Sequence, residues 1–536
     1  MSSRNSAIAI ALAFACSACG PARKPPATTA ATAAPVVPIA PVVPAAPVAP
    51  VAPVAPDAPA ATSSPAALSP SIVQLQHEID GILAAPALDR GFWGVLVKPL
   101  ARDETWYSLN AGKLMMPASA MKVVTLAAAA DTLGWDYQYQ TQLLAAGPIA
   151  DGVLHGDLRV VGSGDPSIDD WDGAASRLFG AWADRLKAAG IRAVDGRIVG
   201  DDNAFDDDEI GFGWSWDDLS AGFAAGVSAL QFNQSSVQLT VTPGTTVGAL
   251  ASVGVFPEAG GLSVHSLVTT AAATSVPSVE RRRLPGSTTL ELRGSVPLKG
   301  RSVVQTVSVD NPTLYFVTAL RTALIAHGIS VRGQAVDADD LDGKPSPAPA
   351  LPVVTYQSPP FSALAITLMK FSQNQYAETF FKTIGSAGGT GGTGTAATGR
   401  ATVRSVLQRW NVDTAGLIQA DGSGLSRYNY VTPETLVAIL SHVDRDEHLR
   451  DSYEATLPVA GQDGTLDARM KGTAAEGNAR MKTGSMSNVR TVAGYVRTAD
   501  GEKVVFAILA NNFEAPAGTI TAAADAIVVR LATFRR

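Results

Sequence analysis

The pattern of apolar residues changes twice along this chain of 536 residues. Helical and β-like patterns are mixed in residues 70–140 and again in residues 350–536. Residues 141–349 contain mostly short β-like runs separated by Gly, Pro and Asp, with one helical pattern at residues 314–327. We therefore predict one α/β (α+β) domain built from both ends, with an inserted, mostly β region that folds as two nested subdomains.

The composition of the N-terminal part separates it from this core. Residues 20–68 are rich in Pro, Ala and Val, which favour extended polyproline II, and we predict a linker there. Residues 1–19 contain an apolar run far shorter than the ~20 residues of a membrane-spanning helix, which predicts a signal peptide and an exported, periplasmic protein. Small residues before Cys19 resemble a lipoprotein processing site, so Cys19 is a candidate lipid anchor. Ordinary signal cleavage without a lipid is the alternative.

The charge distribution excludes several classes of function. The formal net charge is −7 and the basic residues are not clustered, so we expect no nucleic-acid partner. The six histidines show no metal-ligand spacing, and we predict neither a metal nor a cofactor. The acidic run at residues 201–209 could bind a cation, but its composition is more typical of a solvated loop. A G-x-S-x-G elbow is absent from the sequence, which argues against an α/β-hydrolase triad.

The first motif with chemical meaning is S-x-x-K at residues 119–122. Ser119 follows Pro117 and opens a helical pattern, so its hydroxyl lies at the positive end of the helix dipole. Residues three positions apart share one helical face, which puts Lys122 beside Ser119. Because a serine hydroxyl is a weak nucleophile, a neighbouring lysine with a lowered pKa is the base that it needs.

Two further motifs follow in the second half of the chain. Ser372-Gln373-Asn374 is S-x-N in a break between two helical patterns, and Lys482-Thr483-Gly484 is K-T-G on a predicted edge strand. The first can offer a hydroxyl and an amide to a cavity. The second can offer a cation, a hydroxyl and free backbone N–H groups, which suit a carboxylate and an oxyanion.

Each motif alone is weak evidence, but the three in this order are a strong signal. The set S-x-x-K, S-x-N and K-T-G is typical of penicillin-binding proteins and related β-lactamases. Ser372 follows Ser119 by 253 residues (372 − 119), far more than a compact β-lactamase has between these motifs. The large gap matches the inserted region, and the segments that carry the motifs must meet in space.

From about residue 72 to its C-terminus the chain resembles the class C low-molecular-mass penicillin-binding proteins, which are D-alanyl-D-alanine carboxypeptidases and endopeptidases. The resemblance extends beyond the three motifs to PASAMKVVTLAAAADTLG, VVGSGDPSI, FSQNQYAETFFKTIG, DGSGLSRYNYVTP, LPVAGQDGTLDARM and MKTGSMSNVRTVAGYV. It implies a penicillin-binding/β-lactamase-like serine transpeptidase fold, in which helices flank an antiparallel sheet, with large mostly β inserted domains.

The resemblance also implies roles for residues of the first two motifs. Ser119 would be the acyl-forming nucleophile and Lys122 its base. Ser372 would relay a proton to the leaving amine, and Asn374 would orient Lys122 and the substrate amide. The middle residue Gln373 departs from the family, in which Asp is common, but the change removes no catalytic group.

The third motif would bind the substrate. Lys482 and Thr483 would hold the terminal carboxylate of the peptide, and the N–H groups of Ser119 and Ser485 would form the oxyanion hole. Ser485 stands where Thr is common in the family, which is a mild change. Other conspicuous residues are interpreted as structural. Residues 421–424 are predicted to form a turn near the cleft rather than a second nucleophile. Trp214 and Trp216 are predicted to be packing residues, with lining of the substrate cleft as the alternative, and Arg427 is a weaker candidate for substrate contact.

These expectations lead to one function and two alternatives. The leading prediction is a serine-type D-Ala-D-Ala carboxypeptidase/endopeptidase that acts on peptidoglycan stem peptides through a Ser119 acyl-enzyme and is inhibited by β-lactam antibiotics. A β-lactamase is disfavoured because the chain is too long and has no assignable deacylating Glu motif. A β-lactam-binding sensor or wall scaffold without significant turnover is the non-enzyme alternative, against which the intact Lys122, Ser372 and Lys482 argue.

Overall fold

The protein is represented by a computed structural model. The residues that it describes are 69–258, 262–284, 287–341, 350–387 and 392–536. The predicted signal peptide, the linker and the candidate anchor Cys19 lie outside the described residues. None of the helices in the described part of the chain is both long enough and apolar enough to cross a membrane.

The helices of this part, in chain order, are distributed over its whole length. They are α1 (Pro70–Leu83), α2 (Met121–Leu133), α3 (Ala174–Ala188), α4 (Pro312–Ala326), α5 (Phe361–Lys370), α6 (Asn374–Ala387), α7 (Ala396–Arg409), α8 (Pro433–Arg445), α9 (Arg450–Thr456) and α10 (Ala517–Thr533).

The strands are concentrated between α2 and α5 and near the C-terminus. They are β1 (Phe92–Pro99), β2 (Tyr107–Leu109), β3 (Gln140–Ala146), β4 (Ile149–Ala150), β5 (Val153–Leu154), β6 (Asp157–Gly162), β7 (Ala193–Val194), β8 (Ile198–Asp201), β9 (Ser236–Thr242), β10 (Ser252–Phe256), β11 (Ser263–Ser266), β12 (Thr269–Ala271), β13 (Ser278–Arg282), β14 (Thr289–Pro297), β15 (Val303–Ser308), β16 (Ser330–Val331), β17 (Ala335–Asp337), β18 (Leu351–Gln357), β19 (Leu417–Ile418), β20 (Tyr430–Val431), β21 (Arg480–Met486), β22 (Val489–Arg497) and β23 (Lys503–Asn511).

A five-stranded antiparallel sheet joins the two ends of the chain in the order β2-β1-β23-β22-β21. Its central strands are buried on both faces because successive side chains point to opposite sides. Ala507 and Leu509 contact the core that contains α2 and α5 to α8, whereas Phe506 and Ile508 contact the core under α1 and α10. The predicted hairpin at Asp500-Gly501 joins β22 to β23, so strand β21 is left at the edge of the sheet.

Helix α2 is the central helix of the larger of these cores. Ten consecutive residues from Met121 to Ala130 are buried, and Gly134 ends the helix with a positive φ of 76°. The sequence predicted that Ser119 opens this helix. In the structure Ser119 lies in a 3₁₀ turn (Ala118–Ala120) that runs directly into α2, so that α2 begins two residues later than predicted, and Ala118 has a positive φ of 47°.

The strands between α2 and α5 form separate sheets around a third core. The largest has the order β17-β8-β6-β3-β18, so a strand from beyond residue 350 pairs with the first strand of the middle region. Two 15-residue helices, α3 and α4, pack into this core. Helix α4 was predicted, whereas α3 was not. The helical spacing of Phe179, Trp182 and Leu186 was the signal available for α3.

Candidate active site

Residues of the first two motifs and Ser485, which directly follows K-T-G, line one cavity of about 290 Å³. Ser119 comes from the 3₁₀ turn before α2, Ser372 and Asn374 from the junction of α5 and α6, and Ser485 from strand β21. Lys482 is completely buried behind it. Ala118 before the first serine and Ser372 itself both have positive φ values, 47° and 59°. Such backbone conformations are costly for residues with a side chain and are found at functional sites, where the surrounding structure enforces them.

Lys122 lies under Ser119 and is completely buried. Its Nζ donates to Ser119 Oγ at 2.9 Å, to Asn374 Oδ1 at 2.6 Å and to the carbonyl oxygen of Ser423 at 2.8 Å. Burial lowers the pKa of Lys122 to about 7, although the negative charges of Glu378 and Asp421 oppose the shift. A lysine with this pKa is partly neutral at neutral pH and can accept the proton of the serine hydroxyl.

A second buried lysine lies on the edge strand. Lys482 Nζ donates to Ser372 Oγ at 2.8 Å and to the carbonyl oxygen of Thr483 at 2.8 Å. Burial, and then the charge of Lys122, hold the pKa of Lys482 well below its usual value. The charge of Lys122 therefore contributes to the low pKa of Lys482. Ser372 accepts from Lys482 and lines the same cavity as Ser119, so its hydroxyl is placed to pass a proton.

The remaining K-T-G residues place strand β21 against the turn that carries the nucleophile. A Cβ on Gly484 would lie 2.1 Å from Thr491 Oγ1 and 2.5 Å from the carbonyl oxygen of Pro117, so only glycine fits. Thr483 Oγ1 donates to Thr465 Oγ1 at 2.8 Å, and Ser485 is exposed in the cavity. The close approach puts the backbone of an edge strand beside Ser119, which is the arrangement that an oxyanion site requires.

Sequence reasoning missed a buried carboxylate that supports Lys122. Glu378 accepts hydrogen bonds from the backbone N–H of Gly422 at 2.9 Å and of Ser423 at 2.7 Å, and the carbonyl of Ser423 in turn accepts from Lys122. Burial, with the charge of Asp421 added, raises the pKa of Glu378. Glu378 lies four residues after Asn374 on α6, and this i, i+4 spacing was the signal that could have identified it.

Residues 421–424 form a turn at the cleft, as predicted. Asp421 is buried and accepts from the N–H groups of Gly424 at 2.7 Å and Ser426 at 2.6 Å, and from Trp214 Nε1 at 2.9 Å. Trp214 is therefore a packing residue as expected. The packing prediction is wrong for Trp216, whose side chain is 64% exposed.

The middle region of the chain also touches the site. Asn374 Nδ2 donates to the carbonyl oxygen of Phe223 at 2.8 Å, and the amide of Gln373 donates to the amide oxygen of Gln234. The side-chain amide of Gln373 is thus hydrogen-bonded to another amide, that of Gln234. Arg427 lines the cavity and points toward the carbonyl oxygen of Ser487, at 3.4 Å.

Comparison with known proteins agrees with this fold, which is that of a penicillin-binding serine peptidase. The model of the D-Ala-D-Ala carboxypeptidase 3 (S13) family matches residues 75–534, and the chain belongs to that family. It is 35% identical over 488 residues to a D-alanyl-D-alanine carboxypeptidase of Actinomadura sp. (strain R39), covering 88% of this chain and 87% of that protein. It is 28% identical over 423 residues to the D-alanyl-D-alanine carboxypeptidase DacB of Haemophilus influenzae, covering 78% of this chain and 85% of the relative.

Solved structures of penicillin-binding proteins have a similar fold. The crystal structure of penicillin binding protein 4 (dacB) from Haemophilus influenzae has a TM-score of 0.72 at 25% identity, covering 82% of this chain and 94% of the other. The same protein in complex with a novel β-lactam has a TM-score of 0.69 at 25% identity, with coverages of 82% and 93%. The predicted family and the predicted α+β penicillin-binding fold are therefore confirmed, and the chain is a peptidase of the D-alanyl-D-alanine carboxypeptidase type.

Proposed function

We propose that this peptidase hydrolyses D-alanyl-D-alanine-type bonds of peptidoglycan stem peptides through an acyl-enzyme on Ser119, and that β-lactams acylate the same residue. The observation that carries the assignment is Lys122, completely buried, with a pKa near 7 and its Nζ 2.9 Å from Ser119 Oγ. A nucleophile paired with a base of matched pKa is the minimum requirement for covalent catalysis at neutral pH.

The acylation step follows from the contacts. Neutral Lys122 takes the proton of Ser119 while Ser119 Oγ attacks the carbonyl carbon of the penultimate D-Ala. The N–H groups of Ser119 and Ser485 stabilise the negative charge on the carbonyl oxygen. The C–N bond then breaks as Ser372, hydrogen-bonded to Lys482 Nζ at 2.8 Å, passes its proton to the leaving amine. The proton that Lys122 took from Ser119 replaces it on Ser372, so that Lys122 is neutral again.

The other contacts position the reacting groups. Asn374 accepts from Lys122 with its oxygen, which leaves its Nδ2 directed at the carbonyl of Phe223. Lys482 and Thr483 hold the terminal carboxylate of the substrate. Neutral Lys122 then takes a proton from a water molecule whose oxygen bonds the acyl carbon. As the ester C–O bond breaks, Lys122 returns this proton to Ser119 Oγ, 2.9 Å away, and the shortened peptide leaves. The leaving group is D-Ala in carboxypeptidase action and the cross-linked diamino acid of a neighbouring strand in endopeptidase action.

Labelled penicillin and defined muropeptides test this proposal. We expect the label on one tryptic peptide that contains Ser119, with none after Ser119→Ala. Digestion of purified cross-linked muropeptides should release D-Ala or separate the cross-linked strands, and product identification distinguishes the two activities. Label on another serine would reject the assignment, and acylation without turnover of any D-Ala–D-Ala peptide would favour the sensor or scaffold.

We also propose that residues 141–349 are an insertion into a catalytic domain of residues 70–140 and 350–536, and that it shapes access for bulky wall peptides. The carbonyl contact of Phe223 with Asn374 supports a location at the rim of the cleft. A folded variant in which a short Gly/Ser linker replaces the insertion should still react with penicillin but should discriminate less among wall peptides. Complete loss of penicillin acylation in a well-folded variant would make the region part of the chemical site.

Export and anchoring form a separate proposal. We propose that residues 1–19 direct export to the periplasm, that Cys19 receives a lipid, and that residues 20–68 tether the enzyme to the membrane. The apolar run, the small residues before Cys19 and the Pro/Ala-rich composition support it. Mass spectrometry of the mature N-terminus should find a lipidated Cys19, and Cys19→Ala should release the enzyme from the membrane fraction. An unmodified N-terminus would contradict the lipid anchor.

A further inference from the structure

The acidic run at residues 201–209 is not simply the solvated loop that the sequence predicted. Asp201 and Asp202 at its start are buried, because β8 leads them into the largest sheet of the middle region. Strand β17 pairs in parallel with β8, with Asp337 opposite Gly200. Parallel neighbours end at the same edge of a sheet, so Asp337 and Asp339 meet Asp202 there.

These three aspartates form what we call the acidic cluster. One carboxylate oxygen from each of Asp202, Asp337 and Asp339 lies within 4.8 Å of the other two. Asp337 is fixed by its contacts, since its Oδ2 accepts from Asn311 Nδ2 at 2.8 Å and its Oδ1 from the N–H of Asp339 at 3.2 Å. Three like charges at this separation repel each other unless a cation or protons compensate.

Asp202 provides an observation that is independent of the spacing. The residue is only 9% exposed, and its Oδ2 accepts from Thr313 Oγ1 at 2.6 Å. Its other oxygen, Oδ1, is buried and has no hydrogen-bond partner among the residues that the structure describes. A buried carboxylate oxygen without a donor is costly, and a bound cation would supply the partner that this oxygen lacks.

The basic side chains beside the run are already paired elsewhere. Arg159 forms an ion pair with Asp201, and Lys382 Nζ lies 2.7 Å from Asp206. Lys382 also donates to the carbonyl oxygens of Asp206 and Asp208, at 3.3 and 2.9 Å. Neither Lys382 nor Arg159 therefore compensates the negative charge of the acidic cluster.

We propose that Asp202, Asp337 and Asp339 bind a hard divalent cation, for which calcium is the best fit. The ligands are all carboxylate oxygens, which hard cations prefer over softer transition metals. Calcium bonds oxygen at about 2.3–2.6 Å and tolerates irregular geometry, so a single ion can bridge oxygens up to about 5 Å apart. Magnesium needs nearly octahedral geometry at about 2.0–2.1 Å, which spans a shorter distance.

The position of the cluster gives the ion a structural role. From Asp202 the acidic run leads to Asp206 and Asp208, which contact Lys382 on α6. The same helix carries Asn374 and Glu378, which both support Lys122. A bound ion would fix the start of the run and so strengthen the packing of the middle region against α6, without entering the chemistry.

Thermal unfolding and calorimetry of the chelator-treated protein test the proposal. Titration of calcium chloride should show one binding site per chain. At 5 mM calcium, with a Kd of about 50 μM, binding should raise the apparent Tm by about 2–3 °C. Potassium chloride at equal ionic strength should leave the Tm unchanged, and magnesium should have a smaller effect.

Two variants and one control connect the effect to the cluster. Asp202→Asn and Asp339→Asn should abolish the calcium response, while Asp184→Asn, an exposed change on α3, should keep it. Without calcium, Asp202→Asn should unfold at or above the wild-type temperature, because it removes a repulsive charge. Asp339→Asn tests the site if Asp202→Asn does not fold. The proposal is overturned if wild type shows no calcium-specific rise, if magnesium binds equally well, or if a folded Asp202 or Asp339 variant keeps the full response.

Discussion

The active site and the acidic cluster both bury charged side chains, but they compensate the charges in different ways. Lys122 has three hydrogen-bond acceptors within 2.9 Å, one on Ser119 three residues away and two on residues from distant parts of the chain. In the acidic cluster, by contrast, Asp202 faces two other carboxylates and one of its oxygens has no donor among the described residues. A charge that is held by neutral groups keeps a shifted pKa and can exchange a proton, whereas a cluster of like charges must be compensated by protons or by a bound cation.

The two buried lysines extend this comparison within the active site. Lys122 has the charges of Glu378 and Asp421 near it, which moderate the effect of burial, whereas the charge of Lys122 adds to that of burial at Lys482. The pKa is consequently lowered at both lysines, but opposing charges limit the shift only at Lys122. We expect Lys122 to exchange protons during turnover and Lys482 to act mainly through its hydrogen bonds.

The largest expected effect is the loss of the base. Lys122→Ala should lower the rate of penicillin acylation about 10²–10⁴-fold, the range typical for removal of a general base. In wild type the acylation rate should rise with pH and reach half its plateau near pH 7, because only neutral Lys122 can accept the proton. Stopped-flow acylation from pH 5 to 9 measures both, with the exposed Lys113→Ala as control. A Lys122→Ala rate within tenfold of wild type would contradict the role.

The next effect concerns recognition of the substrate's end. Lys482→Ala should reduce turnover of a peptide with a free terminal carboxylate about 10–100-fold more than that of its amidated form, the value of a hydrogen bond to a charged group. Both forms should also lose some activity, because Ser372 loses its partner Lys482. Parallel steady-state assays on the two peptides measure the difference. Lys471→Ala, an exposed change, is the control, and equal losses on both peptides would assign Lys482 to proton relay alone.

A smaller effect is expected from Glu378, one of the two carboxylates whose charges raise the pKa of Lys122. The charge of Glu378 raises the pKa of Lys122, so Glu378→Gln should lower that pKa further and shift the rising limb of the pH–rate profile to lower pH, by up to about one unit. The matched control is Glu434→Gln at the exposed start of α8. An unchanged midpoint together with a lower Tm would reduce Glu378 to a structural residue.

The smallest effect is expected at the turn of residues 421–424, where Asp421 accepts a hydrogen bond from Trp214. Trp214→Phe removes one of several donors to Asp421, so the free energy of unfolding should fall by about 1 kcal/mol while acylation changes little. Trp216→Phe, at a position 64% exposed, should leave both unchanged. Denaturant unfolding and penicillin acylation provide the comparison. A large loss of acylation in Trp214→Phe would show that Asp421 controls the site more strongly than its hydrogen bonds indicate.

Much of the fold could be predicted because its signals are local. The strands β22 and β23, their Asp500-Gly501 turn, and helices α4 and α10 were predicted within a few residues of their observed bounds. Helix α3 was missed since its surroundings resemble β-like runs. The observed start of α2 at Met121 is two residues after the predicted one, because a 3₁₀ turn that contains Ser119 precedes the helix.

The sequence by itself determined the three motifs, their order and the pairing of Ser119 with Lys122, since helical spacing alone puts residues three apart on one face. Only the tertiary structure decided that Lys122 is fully buried beside the carbonyl of Ser423, 301 residues away, and that Glu378 accepts a hydrogen bond from the backbone N–H of the same Ser423. It also decided that Asp202 meets Asp337 and Asp339. Burial and charge coupling depend on which distant segments come together, and local patterns contain no record of those neighbours.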